Sequence, residues 1–196
     1  MGVSTIEGLM SSVVGKEASE VFTKYHVLIS SESDRGAVIL AGSILDVALE
    51  KLIASYLLPP VKKEDKLING AYAPLGSFSA KIEMCYRLGL IKRHILEQLQ
   101  LFKSIRNDFA HRITDAQLDS QENKSRMQEI LNKDPDMENA LLTTCSKTFK
   151  QNGINRDNKN LITLIGVRYS FDVLFASICM ALDRVSLDIE RIQVIE

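Results

Sequence analysis

Residues 33–60 read SDRGAVILAGSILDVALEKLIASYLLPP, and most positions between the two ends are apolar. Serine is a preferred N-cap residue, so Ser33 predicts the start of a helix. Asp34 in the first turn complements the helix dipole. Pro59 and Pro60 end the helix, because proline lacks the N–H that a helix interior requires. Few faces of such a helix can contact water, so this stretch predicts a central, largely buried helix that runs to about residue 58.

Helical periodicity continues on both sides of this stretch. Residues 16–31 repeat apolar side chains at three- and four-residue steps, which predicts a half-buried helix. After a turn-rich segment, Ser77 or Ser79 caps another helix, which ends at a break near Gly89. Residues 91–111 then predict a further amphipathic helix.

The second half of the chain begins with a more polar pattern. Residues 113–160 read as polar and loop-rich, with a short helix near 126–132, modest periodicity over 137–149 and a loop at 151–158. Residues 161–192 predict one long, largely buried helix that packs on the core formed by residues 16–112.

Strand patterns and internal repeats are not evident, so the fold class predicted is all-α: a single-domain helical bundle of about six to eight helices over residues 1–196. A chain of 196 residues buries a sizeable core as one domain. Its net charge of -1 argues against coating nucleic acid by bulk charge.

Cysteine usage and uncharged runs indicate the compartment. The three cysteines are odd in number and widely spread, which favours neither a disulfide framework nor a C-x-x-C site and suits a reducing cytoplasm. The longest uncharged runs are ten residues, well short of the ~18 that span a bilayer. The histidines are not spaced as metal ligands, and the sequence contains neither a phosphate-binding loop motif nor a nucleophile-elbow motif. We therefore expect no metal and no cofactor.

The end of the helix over residues 91–111 carries a group of candidate catalytic residues, Arg106, Asn107 and His111. Asn107 and His111 share one helix face, and Arg106 lies at its edge. An imidazole can act as a general acid or base near neutral pH, and a guanidinium can stabilise a phosphoryl group as charge develops. The alternative is structural: Asn107 and His111 cap the helix, while Arg106 pairs with Asp108 or Glu97.

The candidate catalytic residues lie within a segment that is rich in positive charge. Residues 81–112 hold seven basic and three acidic side chains, a surplus of four positive charges on a nearly neutral chain. Such a basic patch suits a confined anionic ligand, and Lys103, Arg112 and Arg87 are the candidate substrate contacts. It equally suits a solvated helix face. Phe102 and Phe109 follow the helical pattern and are expected in the core rather than as platforms for base stacking.

A second polar group lies on the central helix. Arg35, Asp46 and Glu50 fall on one helix face, where they predict a polar pocket. The alternative for this stripe is a solvated face or an ordinary structural ion pair.

The string RNDFAH at residues 106–111 resembles the R-N-x-x-x-H motif of the HEPN superfamily of helical proteins, many of them metal-independent ribonucleases. The resemblance implies that Arg106 and His111 are a catalytic pair, and that a homodimer brings two motifs to one cleft. It also implies RNA cleavage that leaves a 2′,3′-cyclic phosphate and a 5′-hydroxyl.

A wider resemblance covers about residues 34–111. The strings DRGAVILA at 34–41, LDVALE at 45–50, PLGSFSAKI at 74–82 and YRLGLI at 86–91 look like the mannitol operon repressor (MtlR-like) family. That family is all-helical, and its members are transcriptional regulators without a recognisable DNA-reading motif that are thought to act through other proteins.

Three functions follow. The first is a cytoplasmic, metal-independent endoribonuclease in a toxin–antitoxin or defence setting, with His111 as acid/base, Arg106 as phosphorane stabiliser and Asn107 as orienting residue. The second is an MtlR-like regulator that binds a protein partner, and the third is a small-molecule or nucleotide sensor. Direct reading of DNA is not expected, because no exposed basic recognition helix is evident.

Overall fold

The computed structural model describes residues 16–112, 114–151 and 160–194. Within these ranges the chain forms eight helices and no strand, which confirms the predicted all-α fold class and helix number. The helices are α1 (Lys16–Ser30), α2 (Asp34–Tyr56), α3 (Phe78–Arg87), α4 (Arg93–His111), α5 (Gln121–Asn132), α6 (Pro135–Gln151), α7 (Leu161–Ile165) and α8 (Val167–Asp188).

Helix α2 is central, as its apolar sequence predicts. The hydroxyl of Ser33 accepts a hydrogen bond from the Gly36 amide at 3.1 Å, so the predicted N-cap is confirmed. At the other end the Leu57 amide still bonds to the Ile53 carbonyl before the chain leaves the helix ahead of the two prolines. Helix α2 contacts α1, α3, α4 and α8, and its side chains form the middle of the core.

Helices α3 and α4 lie against α2 and are separated by the predicted break. Ser77 caps α3 by accepting a hydrogen bond from the Ala80 amide at 3.2 Å. Gly89 has a φ of +75°, a left-handed conformation that glycine adopts without a Cβ clash. Helix α4 runs antiparallel to α2: Arg35 at the start of α2 reaches Phe109 near the end of α4.

The predicted helix over residues 161–192 is wrong in its continuity. Gly166 has a φ of +83° and separates the short α7 from α8. Helix α8 ends at Asp188, and the following residues extend to α2, where the Ile192 amide donates to the Tyr56 carbonyl at 2.9 Å. An apolar run masked the break, because glycine is neutral in the pattern but permits a backbone turn that other residues resist.

The polar segment is also more helical than predicted. Helix α5 begins at Gln121, five residues before the expected start, because the Ser120 hydroxyl caps it by accepting from the Asn123 amide. Its apolar side chains Met127 and Ile130 are fully buried. Helix α6 follows almost at once, so the segment between α4 and α7 is not loop-rich where it is described. The loop predicted at 151–158 lies mostly outside the described residues.

Arg168 at the start of α8 joins three helices. Its guanidinium donates to the Ile29 carbonyl at 2.7 Å, the Glu32 carbonyl at 2.9 Å and the Asp34 carboxylate at 3.0 Å. It also bonds to Asp172 one turn along α8 at 2.9 Å. The corner between α1 and α2 is thus fixed by a residue of the last helix. No helix in the described ranges is long and apolar enough to cross a membrane.

Candidate functional site

At the end of α4, the side chains of Arg106 and His111 are exposed to solvent, whereas Asn107 is half-buried. The Arg106 guanidinium donates to the Asn107 side-chain carbonyl at 3.2 Å. His111 is the last residue of α4, one helical turn beyond Asn107, or about 6 Å along the axis. The structure therefore holds a cation and an exposed imidazole on consecutive turns of one helix.

Gly42 of α2 determines how closely Arg106 can approach the central helix. A Cβ atom at position 42 would lie 2.8 Å from the Arg106 Cγ, closer than two carbon atoms can pack. The stem of Arg106 therefore crosses α2 where α2 has no side chain. Glycine costs about 1 kcal/mol relative to alanine in a helix interior, and this close contact is the physical reason for its presence here.

Asp108 does not pair with Arg106. Its carboxylate bonds to Arg126 of α5 and lies 4.0 Å from Arg112. Arg126 also bonds to Glu122 at 2.5 Å, which completes an ion-pair network between α4 and α5. Asp108 therefore ties the motif helix to its neighbour, and its negative charge is shared with two other arginines.

Glu97, the other acid considered for Arg106, is also engaged elsewhere. Its carboxylate bonds to Arg93 at 2.9 Å and to Lys133 at 3.0 Å. Among the acidic residues in the described ranges, none lies within ion-pair distance of Arg106. The alternative in which Arg106 pairs with Asp108 or Glu97 is therefore not what the structure contains.

Arg35 caps the C-terminus of α4. Its guanidinium donates to the carbonyl of Phe109 and, at 2.8 Å, to the carbonyl of Arg112. It also lies over the Phe109 ring, 5.7 Å from the ring centre. The last four carbonyls of a helix have no partner inside the helix, so this guanidinium performs the capping that the structural alternative gave to Asn107 and His111.

Asp46 and Glu50 form a different cluster. Lys81 of α3 is only 3% exposed and bonds to Asp46 at 2.9 Å and to Glu50 at 3.0 Å. Burial alone would lower the pKa of Lys81, but hydrogen bonds and charges from the two carboxylates outweigh it, so the pKa is raised and the ammonium stays charged. The predicted stripe is thus divided between two places, because Arg35 lies about 16 Å along the axis from Asp46 and bonds to α4 instead.

The basic surplus of residues 81–112 is mostly neutralised. Acidic partners lie within 4.0 Å of four of its seven basic side chains: Lys81, Arg87, Arg93 and Arg112. Lys103 and Arg106, one turn apart on α4, have no such partner among the described residues. The Lys103 ammonium donates to the Ser79 hydroxyl at 3.0 Å. Lys92 also lacks an acidic partner in the described part of the chain but lies at the opposite end of α4, so Lys103 and Arg106 form one small positive surface beside Asn107.

The aromatic side chains of α4 belong to the core, as predicted. Phe102 is 4% exposed and its ring packs against Phe171, and Phe109 is 1% exposed. Neither ring is available to stack on a base. No group of three or more His, Cys, Asp or Glu side chains in the described part of the chain is arranged to hold a metal ion.

Sequence reasoning missed the roles of Gly42, Arg126 and Ser79. A glycine inside an apolar helix was a visible signal of a close approach, but its partner is 64 residues away and cannot be identified from spacing. Arg126 begins the short helix predicted near residues 126–132, but spacing does not indicate that this helix packs beside the end of α4, where Arg126 pairs with Asp108. The sequence predicts Ser79 as a possible N-cap and gives no sign of its hydrogen bond to Lys103.

Comparison with known proteins gives no relative for this chain: no family model, no curated protein and no solved structure matches it. A functional assignment therefore depends on the side chains of α4 and the helices that hold them.

Proposed function

We propose that this chain is a metal-independent endoribonuclease of the HEPN type, which acts in the cytoplasm as a homodimer in a toxin–antitoxin or defence setting. One observation carries the proposal. Arg106 is an exposed cation that donates a hydrogen bond to Asn107 and has no acidic partner in the described part of the chain, and the exposed imidazole of His111 follows about 1.4 turns further along the same helix. The other three arginines of residues 81–112, namely Arg87, Arg93 and Arg112, all have acidic partners.

RNA provides the nucleophile for such a site. The 2′-oxygen attacks the adjacent phosphorus while the bond from phosphorus to the 5′-oxygen breaks, which gives a 2′,3′-cyclic phosphate and a 5′-hydroxyl. His111 accepts the proton of the 2′-hydroxyl, and an imidazolium returns a proton to the departing 5′-oxygen. Arg106 stabilises the extra negative charge on the phosphorane, and Asn107 orients the Arg106 guanidinium through their hydrogen bond.

Substrate contacts follow from the remaining charges. Lys103 precedes Arg106 by one turn and lacks an acidic partner in the described ranges, so we assign it to a phosphate flanking the cleaved bond. Arg112 and Arg87 have acidic neighbours at 4.0 Å, so a phosphate that binds there competes with an existing ion pair. Their contribution to binding is therefore smaller than that of Lys103.

The proposed reaction requires a homodimer, because it needs two imidazoles. Each chain contributes one His111, whereas the reaction needs a base for the 2′-hydroxyl and an acid for the 5′-oxygen in the same step. A two-fold axis beside the end of α4 brings two imidazoles and two guanidinium groups to one phosphate. His111 is exposed at the end of α4, so its imidazole is accessible to a second copy of the chain.

The test incubates purified protein with mixed RNA in the presence of a chelator. We expect wild-type protein to cleave the RNA, and Arg106→Ala and His111→Ala to reduce the rate by about 10²–10³-fold, as for the loss of one transition-state contact. Matched controls are Arg93→Ala and His94→Ala, which remove the same residue types from the opposite end of α4. These two should cleave as wild type does.

Two results would reject the proposal. Intact RNA with wild-type protein, at concentrations where the protein is dimeric, removes the activity itself. Cleavage that persists in both Arg106→Ala and His111→Ala removes the assigned residues. Because all four variants change solvent-accessible or partly exposed side chains, unfolding free energies within about 0.5 kcal/mol of wild type should accompany the activities.

A further inference from the structure

The carbonyl groups around His111 are held by a residue from another helix. Arg35 donates to the carbonyl of Phe109, two residues before His111, and to the carbonyl of Arg112, one residue after it. The two hydrogen bonds bracket the histidine backbone. A planar guanidinium with donors in a fixed fork holds two acceptors at a defined separation, which a lysine ammonium does not do.

The ring of Phe109 restrains the same helical turn from the side that faces the core. Its side chain is 1% exposed in the core, and the Arg35 guanidinium lies 5.7 Å from the ring centre, within range of a cation–π contact. Arg35 is thus attached to the last turn of α4 through backbone and side chain at once. Terminal helix turns usually fray, so these contacts restrain a segment that would otherwise open.

Arg35 is itself held in place. It lies in the first turn of α2, where the Ser33 hydroxyl caps the helix and Arg168 of α8 bonds to Asp34 at 3.0 Å. Seven residues further along α2, Gly42 receives the stem of Arg106. One face of α2 therefore restrains both members of the proposed catalytic pair, one through the backbone and the other through the side chain.

We infer that Arg35 is a positioning residue for His111, rather than part of a ligand pocket with Asp46 and Glu50. This inference rests on the proposed function for its kinetic consequence, but not for its structural one. Arg35 contacts no reacting atom; it fixes where the imidazole projects from the end of α4. A small displacement of a catalytic group lowers the rate of the chemical step more than it weakens substrate binding.

The experiment compares Arg35→Met and Arg35→Lys with wild type and with Arg93→Met, a matched control on the surface of α4. The first readout is amide hydrogen exchange at residues 108–112, together with the NMR signals of the His111 ring. In Arg35→Met we expect exchange in this turn to be faster by about tenfold and the ring signals to move, with α1 and α2 unchanged. Arg35→Lys keeps one donor and should recover part of the protection.

The second readout is kinetic. Arg35→Met should lower kcat by about 10–100-fold with KM within about threefold, and Arg35→Lys should recover part of kcat. A lower melting temperature with wild-type kcat would overturn the inference, since that is the result of a purely structural cap. Unchanged exchange at residues 108–112 would overturn it as well.

The two proposals fail in distinguishable ways. If wild-type protein does not cleave RNA but Arg35→Met loosens the last turn and moves the His111 signals, the ribonuclease is rejected while the positioning contact stands. If wild-type protein cleaves RNA and both Arg35 variants match its kcat, the ribonuclease stands and the positioning role is rejected. Arg35→Lys retains the positive charge, so it keeps the test valid if Arg35→Met does not fold.

Discussion

Helix α2 contacts two polar clusters, one shared with α3 and one on α4, and they differ in how their charges are satisfied. The closed cluster consists of Lys81, Asp46 and Glu50. The open cluster consists of Arg106, Asn107 and His111, which α2 supports through Gly42. In the closed cluster a buried ammonium has two carboxylate partners, whereas in the open cluster an exposed guanidinium has only an amide oxygen in the described part of the chain. Removing one partner of a buried pair destabilises the fold, whereas a charge without a counter-ion at the surface is available to a ligand.

The largest effect on stability is expected when the closed cluster is broken. Lys81→Met leaves Asp46 and Glu50 close together without their cation. Loss of one partner of a buried pair costs about 3–5 kcal/mol, but both carboxylates are about one-third exposed, so we expect about 2–3 kcal/mol. Urea unfolding of the variant measures this loss. A loss under about 1 kcal/mol would show that the closed cluster is an ordinary surface pair.

The ion-pair network beside the open cluster should have the next largest effect. Arg126→Met removes the cation that α5 supplies to Asp108, at a place where both side chains are about four-fifths buried. A hydrogen bond to a charged group contributes about 1.5–3 kcal/mol, and Arg112 compensates in part, so we expect a loss of about 1–2 kcal/mol. Unfolding in urea checks the value. Glu122→Gln, which alters only the exposed side of the same network, is the control and should change stability by less than about 0.5 kcal/mol.

Gly42→Ala tests whether the open cluster depends on the bare surface of α2. Helix propensity alone predicts a gain of about 1 kcal/mol from this substitution. Because the new Cβ atom would lie 2.8 Å from the Arg106 Cγ, we expect no gain in unfolding free energy and a displaced Arg106. Ser43→Ala, on the neighbouring exposed position of α2, is the control for urea unfolding and for RNA cleavage. A full gain of about 1 kcal/mol in unfolding free energy with unchanged cleavage would contradict the close packing of Arg106 against Gly42.

The smallest expected effect concerns His26, a buried titratable group that belongs to neither cluster. Its ring packs against Phe22 and Tyr169, and its Nε2 has no hydrogen-bond partner in the described ranges. Burial, and then the charge of Arg168, lower the pKa of His26 below its ordinary value of 6.5. Below about pH 6.5 the unfolded chain therefore binds a proton that the folded chain does not.

His26 should accordingly lower the free energy of unfolding as the pH falls below 6.5, and the loss should stop once the folded histidine is itself protonated. Unfolding experiments at pH 7.5 and pH 5.0 on wild type and His26→Phe measure it. The variant should lose less stability than wild type over this interval. An equal loss in both proteins would assign the pH dependence to other groups.

The fold was predictable where the signals are local. Ser33, Ser77 and Gly89 act within one turn of their own position, so their roles as caps and a break are confirmed. Gly166 was missed because a single glycine inside an apolar run does not change the helical period. The early start of α5 was missed because Ser120 lies in a segment whose composition is polar.

The site was predictable only in part, for a related reason. Spacing places Arg106, Asn107 and His111 on one helix end, and the structure brings Arg106 and Asn107 into contact. Spacing does not identify partners across tens of residues, so the bond from Arg35 to α4 and the burial of Lys81 between two carboxylates were not foreseen. Whether the motif cleaves RNA stays a prediction until the enzyme assay.

Arg168 has a consequence for how the chain folds as it is synthesised. Its partners at the corner between α1 and α2 lie more than 130 residues earlier in the sequence, so the hydrogen bonds that join α8 to this corner cannot form until α8 has been synthesised. Contacts of this separation close late, because the entropy of a long loop must be overcome first. The corner between α1 and α2 therefore lacks its contacts to α8 until α8 has emerged, and we expect its sensitivity to proteases to fall when α8 packs against it.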